Sequence, residues 1–135
     1  MAETQTPTMP GGVIAHLNPS DASAAAEFYK RAFGAVELSR IPAQDGKRLM
    51  HCHLAINGGA LLLADNFPES GYPTLAPQGF SLLMMTDDVD AAYQRAIDAG
   101  ATSVMAPQQM FWGDRYAQVT DPFGYLWSLD QAAAQ

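Results

Sequence analysis

Apolar residues recur along the chain with two different periods, and the change of period marks out the elements. From Asp21 onward, Ala22, Ala25, Ala26, Tyr29, Ala32 and Phe33 form a helical stripe. Ser20 or Asp21 can cap its start, and Gly34 stands where a left-handed residue ends a helix. A second stripe follows Asp87-Asp88, with Val89, Ala92, Tyr93, Ala96 and Ile97 on one face, and stops before Gly100. The acidic pair reads as a helix cap rather than an acid–base dyad. The rest reads as strands, over 13–18, 35–41, 48–56 and 59–64, then 79–86, 102–106, 115–120 and 125–130. Asn57-Gly58-Gly59 and Pro122-Phe123-Gly124 supply hairpin turns, and the Pro- and Gly-bearing stretch 65–79 is a connector.

The punctuation repeats. Asp21 to Gly34 spans 13 residues, as does Asp87 to Gly100, while Gly34 to Gly58 and Gly100 to Gly124 both span 24. A shift of 66 therefore superimposes helix starts, helix ends and hairpin turns together. The pattern predicts an α+β fold made of two βαβββ repeats, 13–65 and 79–130, within a single domain 13–130 that follows a frayed tail, 1–12. One helix covers one face of each set of four strands. The expected result is an open, cavity-bearing eight-stranded mixed sheet whose concave face suits a small ligand.

Composition narrows the partners. The 135 residues are 48% hydrophobic and 16% charged, which is globular. A formal net charge of −7, with no cluster of the seven basic residues, argues against nucleic acid and anionic membrane surfaces. Cys52 is the only cysteine, so no disulfide forms within the chain, and a small buried hydrophobe is expected there. Residues 1–12 are polar and lack the apolar core of a signal peptide, and no apolar run approaches the ~20 residues of a membrane helix. A cytoplasmic protein is expected.

Three histidines carry the first candidate chemistry. His51 and His53 are two apart on a strand and share a face, opposite Met50, Cys52, Leu54 and Ile56, and His16 shares a face with Ile14. An H-x-H pair with a third histidine can hold zinc and leave a water position. The same residues can equally be hydrogen-bonded imidazoles, or serve ligand recognition and acid–base work. Trp112, Asp114, Arg115 and Tyr116 form a second cluster. Arg115 there could clamp a carboxylate or phosphate, or the loop could be held by its own hydrogen bonds with Trp112 packed on a partner subunit. Phe67, Tyr72 and Phe80 can be lid and cavity aromatics or ordinary core, and Trp127 is a candidate cavity aromatic. No Gly-rich phosphate loop and no nucleophile elbow is present.

The stretches "AAEFYKRAFGA", "ALLLAD", "VDAAYQRAIDAGA" and "FWGDRYAQVTDPFGYLWSL" together resemble the vicinal-oxygen-chelate superfamily of glyoxalase I, extradiol dioxygenases, and fosfomycin- and bleomycin-resistance proteins. "FWGDRYAQVTDPFG" is similar to its PhnB-like branch, and the resemblance spans about 13–130. It implies metal ligands, usually His or Glu, on the first and last strand of each repeat. Those positions fall on Ile14, Leu62, Phe80 and Ser128, which together supply one neutral hydroxyl. The resemblance thus implies a small-molecule-binding protein without the usual metal and without another cofactor, its cavity lined by His16, His51, His53, Phe80, Trp112, Arg115 and Trp127. Two alternatives stand beside it. One is a glyoxalase-like lyase or isomerase, or a dioxygenase, with a divalent metal relocated to His16, His51 and His53; the other is an interaction module with an incidental cavity. Pairing of sheet edges, common in the family, implies a homodimer.

Overall fold

A computed structural model describes residues 9–134. The chain runs β1 (Ala15–Leu17), α1 (Ala22–Phe33), β2 (Val36–Pro42), β3 (Leu49–Ile56), β4 (Gly59–Leu63), β5 (Leu82–Met85), α2 (Val89–Ala99), β6 (Thr102–Gln109), β7 (Arg115–Thr120) and β8 (Leu126–Gln131). The strands form two four-stranded mixed sheets, ordered β1-β4-β3-β2 and β5-β8-β7-β6. In each, the first strand runs parallel to the last and the others pair antiparallel. This is the expected α+β architecture of two βαβββ repeats. Most of the expected tail lies outside the described residues. Within 65–79 the chain makes one 3-10 turn at Pro68–Ser70, closed by a Phe67–Tyr72 bridge.

The chain divides into two compact units, one running to Lys30 and resuming over Ala35–Thr74, the other comprising Arg31–Gly34 and the chain from Leu75 onward. Both helices begin as their sequence dictates. Asp21 Oδ1 accepts from the Ala24 amide at 3.0 Å and Asp88 Oδ1 from the Ala91 amide at 3.1 Å, each satisfying a donor the helix itself cannot. Gly34 (φ 71°) and Gly100 (φ 120°) end them in a region costly for any residue with a Cβ.

In the first unit Leu17, Leu61, Leu63, Cys52 and Leu54 share one sheet face and are buried. Helix α1 lies on that face. Arg40, the cross-strand partner of Cys52, donates to Ser23 Oγ, and Glu37, the partner of Leu54, pairs with Lys30 at 3.1 Å. Small residues on the helix (Ala22, Ala25, Ala26) let it approach closely, and each large side chain buried beneath it contributes about 1.5–3 kcal/mol. Met50, expected on the packed face, is exposed, because pairing slips between Ile41 and Pro42. In the second unit Val89 of α2 packs with Ala117 and Leu129, flanked by Met84, Ala92 and Tyr93.

A polar residue at or just past the end of the last strand of each unit ties the helix back to the sheet. Asp65 accepts from the Ala22 amide (2.9 Å) through one oxygen and from the Leu49 amide (2.6 Å) through the other. Gln131 accepts from the Val89 amide at 2.9 Å. The turn aspartate Asp121, buried, holds the β7–β8 turn onto β8. It accepts from the amides of Phe123 and Tyr125 and from the Trp127 indole at 2.9 Å.

Candidate functional site

With one face of each sheet taken by a helix, candidate chemistry belongs to the other, the open face. In the first unit register places His16 beside Leu62 and Leu62 beside His53, whose other neighbour is Ser39; His51 pairs with Ile41. The three histidines do share the open face, as strand alternation requires. Their surroundings differ: His16 is exposed, His51 half-buried and His53 only 2% exposed. His16 and His53 are separated by β4, which sets their backbones roughly 9–10 Å apart at two inter-strand spacings. Among the described residues no three His, Cys, Asp or Glu side chains form a group that could hold a metal ion.

The second unit carries a hydrogen-bonded cluster on its open face. Ser128 is fully buried, and its hydroxyl accepts from Tyr116 Oη at 2.7 Å and donates to Ser81 Oγ at 3.2 Å. The Gln118 amide reaches Tyr116 Oη at 3.2 Å and Ser128 Oγ at 3.4 Å. Beside it Asp130, the cross-strand partner of Tyr116, is 8% exposed and its Oδ1 has no hydrogen-bond partner. Burial, and then the Asp114 carboxyl hydrogen-bonded to it, raise Asp130 above the usual carboxylate range. Asp114 Oδ1 itself accepts from the Ala133 amide at 2.9 Å. The Trp112 ring stands edge-on to Tyr116, centroids 5.6 Å apart, with Phe111 edge-on to Trp112 at 4.9 Å.

Several sequence-predicted residues lie elsewhere. Trp127 points to the helix face, 2% exposed, where its indole donates to Asp121 and its ring lies 4.4 Å from Phe33. Alternation puts it opposite its neighbour Ser128, so it does not line the open face. Arg115 shares the helix face with Ala117 and Val119, and its guanidinium makes two bonds to Asp90 of α2 at 2.7 and 2.8 Å. That exposed pair raises the arginine and lowers the aspartate. Phe80, expected at a ligand position, packs 6.1 Å from Tyr125, on the helix side.

The Phe80 expectation fails for a countable reason. The shift of 66 holds for the last strands, Leu61 matching Trp127 and Leu62 matching Ser128. It becomes 67 for the first strands, because β1 pairs Leu17 with Leu63 whereas β5 pairs Met84 with Leu129. Ile14 therefore corresponds to Ser81. One residue moves a side chain to the other face of a strand. The four positions are Ile14, Leu62, Ser81 and Ser128, and in the second unit they meet as two hydroxyls in contact. Two aliphatic side chains and two neutral hydroxyls do not fit a divalent cation, which needs carboxylate or imidazole donors to replace its hydration shell. Ser81 and Gln118 are the residues sequence reasoning missed, and the offset between strand registers leaves no trace in the spacing of turns and caps.

Comparison with known proteins agrees with the architecture. Residues 12–129 match the Glyoxalase/Bleomycin resistance protein/Dioxygenase superfamily, and the chain belongs to that family. The uncharacterized protein Rv0887c of Mycobacterium tuberculosis is 46% identical over 122 residues, covering 86% of this chain and 71% of that protein. The uncharacterized protein At5g48480 of Arabidopsis thaliana is 32% identical over 111 residues, 76% of this chain and 67% of that one. Among solved structures, TioX from Micromonospora sp. ML1 is 28% identical with a TM-score of 0.72, covering 90% of this chain and 98% of TioX. Protein PA1353 from Pseudomonas aeruginosa, with a TM-score of 0.76 over 93% of this chain and 100% of that one, shares the fold at 23% identity.

Proposed function

We propose that the protein binds a small organic molecule and does so without the metal centre usual in its superfamily. The observation that carries the reading is that Ser81 and Ser128, which stand where the resemblance implies metal ligands, are hydrogen-bonded to each other, with Ser128 also bonded to Tyr116 and Gln118. Such a cluster offers neutral donors and acceptors set among Leu83, Met85 and Trp112, all partly exposed. That combination suits a ligand with an aromatic or apolar body and a modest polar group. His16, His51 and His53 provide comparable polar points on the first unit's open face.

Finer features belong to the same proposal. The segment "FWGDRYAQVTDPFG" supports a place in the PhnB-like branch. Exposed Val36, Leu38 and Ile41 on β2 are apolar surface that a second copy would cover, which supports a homodimer. The free, buried Cys52 suits a reducing compartment such as the cytoplasm.

Metal analysis of tag-free protein, run beside a thermal-shift screen of uncharged aromatic ligands, tests the proposal. Less than a tenth of an equivalent of metal per chain, with Tm gains that track ligand hydrophobicity, is the expected outcome. About one zinc, nickel, manganese or iron per chain, lost in a His51→Ala/His53→Ala variant, would overturn it. Sedimentation at micromolar concentration tests the dimer, and a monomer refutes that part alone.

A further inference from the structure

Among its described residues the second unit holds one buried polar atom whose need is unmet. Asp130 Oδ1 is shielded from solvent and lacks any hydrogen-bond donor, although leaving such an acceptor unpaired ordinarily costs about 1–3 kcal/mol. Its other neighbour is a second carboxyl, Asp114, where a cation would be expected. The titratable groups facing Asp130 are Asp114 from the β6–β7 loop and Tyr116 from β7, while β5 contributes Met85. The nearest arginine in sequence, Arg115, is held by Asp90 on the other side of the sheet. Two carboxyls, an orphaned oxygen and, among the described residues, no local cation make a place that lacks a positively charged donor.

The aromatic side chains beside it fit the same requirement. Tyr116 stands next to Asp130 across the β7–β8 pair, Trp112 sits edge-on to Tyr116, and Phe111 sits edge-on to Trp112. Trp112 is 46% exposed and Phe111 95% exposed, so ring faces are open to a ligand. Ring faces attract cations, Trp most strongly.

We infer that Asp130 and Asp114, with Trp112 and Tyr116, form a recognition site for the protonated amino group of a ligand carrying an apolar or aromatic body. The inference rests on the proposed small-molecule function and names the ligand's charged end. The ammonium N–H supplies the donor that Asp130 Oδ1 lacks, the carboxylates supply the charge, and Trp112 packs on the adjoining carbon atoms.

The test is calorimetric titration of the full chain with benzylammonium, benzyltrimethylammonium, benzyl alcohol and benzoate as chloride or sodium salts, at pH 8. Benzylammonium is expected to bind best. The trimethylated probe, which has no N–H to donate, should bind at least about fivefold more weakly, and benzoate should not bind. Asp130→Asn should lower benzylammonium affinity about tenfold or more, and Trp112→Ala severalfold, with circular dichroism checking that each variant folds. Equal binding of benzylammonium and benzyl alcohol, or unchanged affinity in Asp130→Asn, overturns the inference, as does the absence of binding at millimolar benzylammonium. If neutral aromatic ligands stabilise the protein while amines give no advantage, the inference fails and the binding function stands. If no ligand of either kind binds, the binding function fails with it.

Discussion

Asp65 divides its two oxygens between two elements, and that division makes a substitution of one atom expensive. Oδ1 takes the Ala22 amide at the start of α1 and Oδ2 the Leu49 amide at the start of β3, both in buried surroundings. A hydrogen bond to a carboxylate contributes about 1.5–3 kcal/mol, and a buried donor left facing nothing costs about 1–3 kcal/mol. Asp65→Asn keeps one acceptor and turns an NH2 group toward the other N–H, so one bond is lost and a donor faces a donor. The expected cost is about 2–4 kcal/mol, a large share of the ~5–15 kcal/mol that holds a domain together, and a fall in Tm of about 10 °C. Gln131 gives the internal control. It does the same duty for α2 through a single amide oxygen, so Gln131→Ala loses one capping bond at about 1 kcal/mol. Urea unfolding followed by far-UV circular dichroism measures both. If Asp65→Asn costs no more than Gln131→Ala, the two-oxygen clasp is not what joins helix and sheet.

Three further outcomes are expected. Ser128→Glu alone should create no tight site for zinc, nickel or manganese, because Ser81, Tyr116 and Gln118 around it offer only neutral groups; titration calorimetry giving sub-micromolar binding would refute this. The Cys52 thiol, fully buried and pushed up to about 11 by that burial, should react with a disulfide reagent at neutral pH only on unfolding, and a fast stoichiometric reaction in buffer would contradict its placement. Because Asp130 is raised in the folded chain, its contribution is complete below the ordinary aspartate value of about 3.9 and is lost as pH rises through the folded value. Asp130→Asn should therefore gain stability relative to wild type as pH climbs through that window, and a difference in Tm that is flat with pH would refute the assignment.

The sequence by itself determined the elements and their duplication. Helices announced themselves by the spacing of Ala22, Ala25, Ala26 and Tyr29 and of Val89, Ala92, Tyr93 and Ala96, and by Asp21 and Asp88 at their starts. These signals are local, since a helix caps and buries its stripe within a dozen residues. The face shared by His51 and His53 was legible for the same reason, strand alternation having a period of two. What lies opposite what was decided by pairing between residues 12 to 47 apart in the chain, such as Tyr116 with Ser128 and Ser81 with Ser128. The one-residue difference between β1–β4 and β5–β8 moved Phe80 off the open face and brought Ser81 onto it, although the turns and caps of the two repeats match. Arg115 could be read either as a ligand clamp or as part of a self-bonded loop, and neither reading pointed to Asp90 of α2, which lies 2.7 Å from it. The burial of Asp130 beside Asp114 depends on β8 running on past the loop that carries Asp114, a contact that only the folded sheet creates, because sheet register is fixed by packing between distant segments rather than by the composition of any one of them.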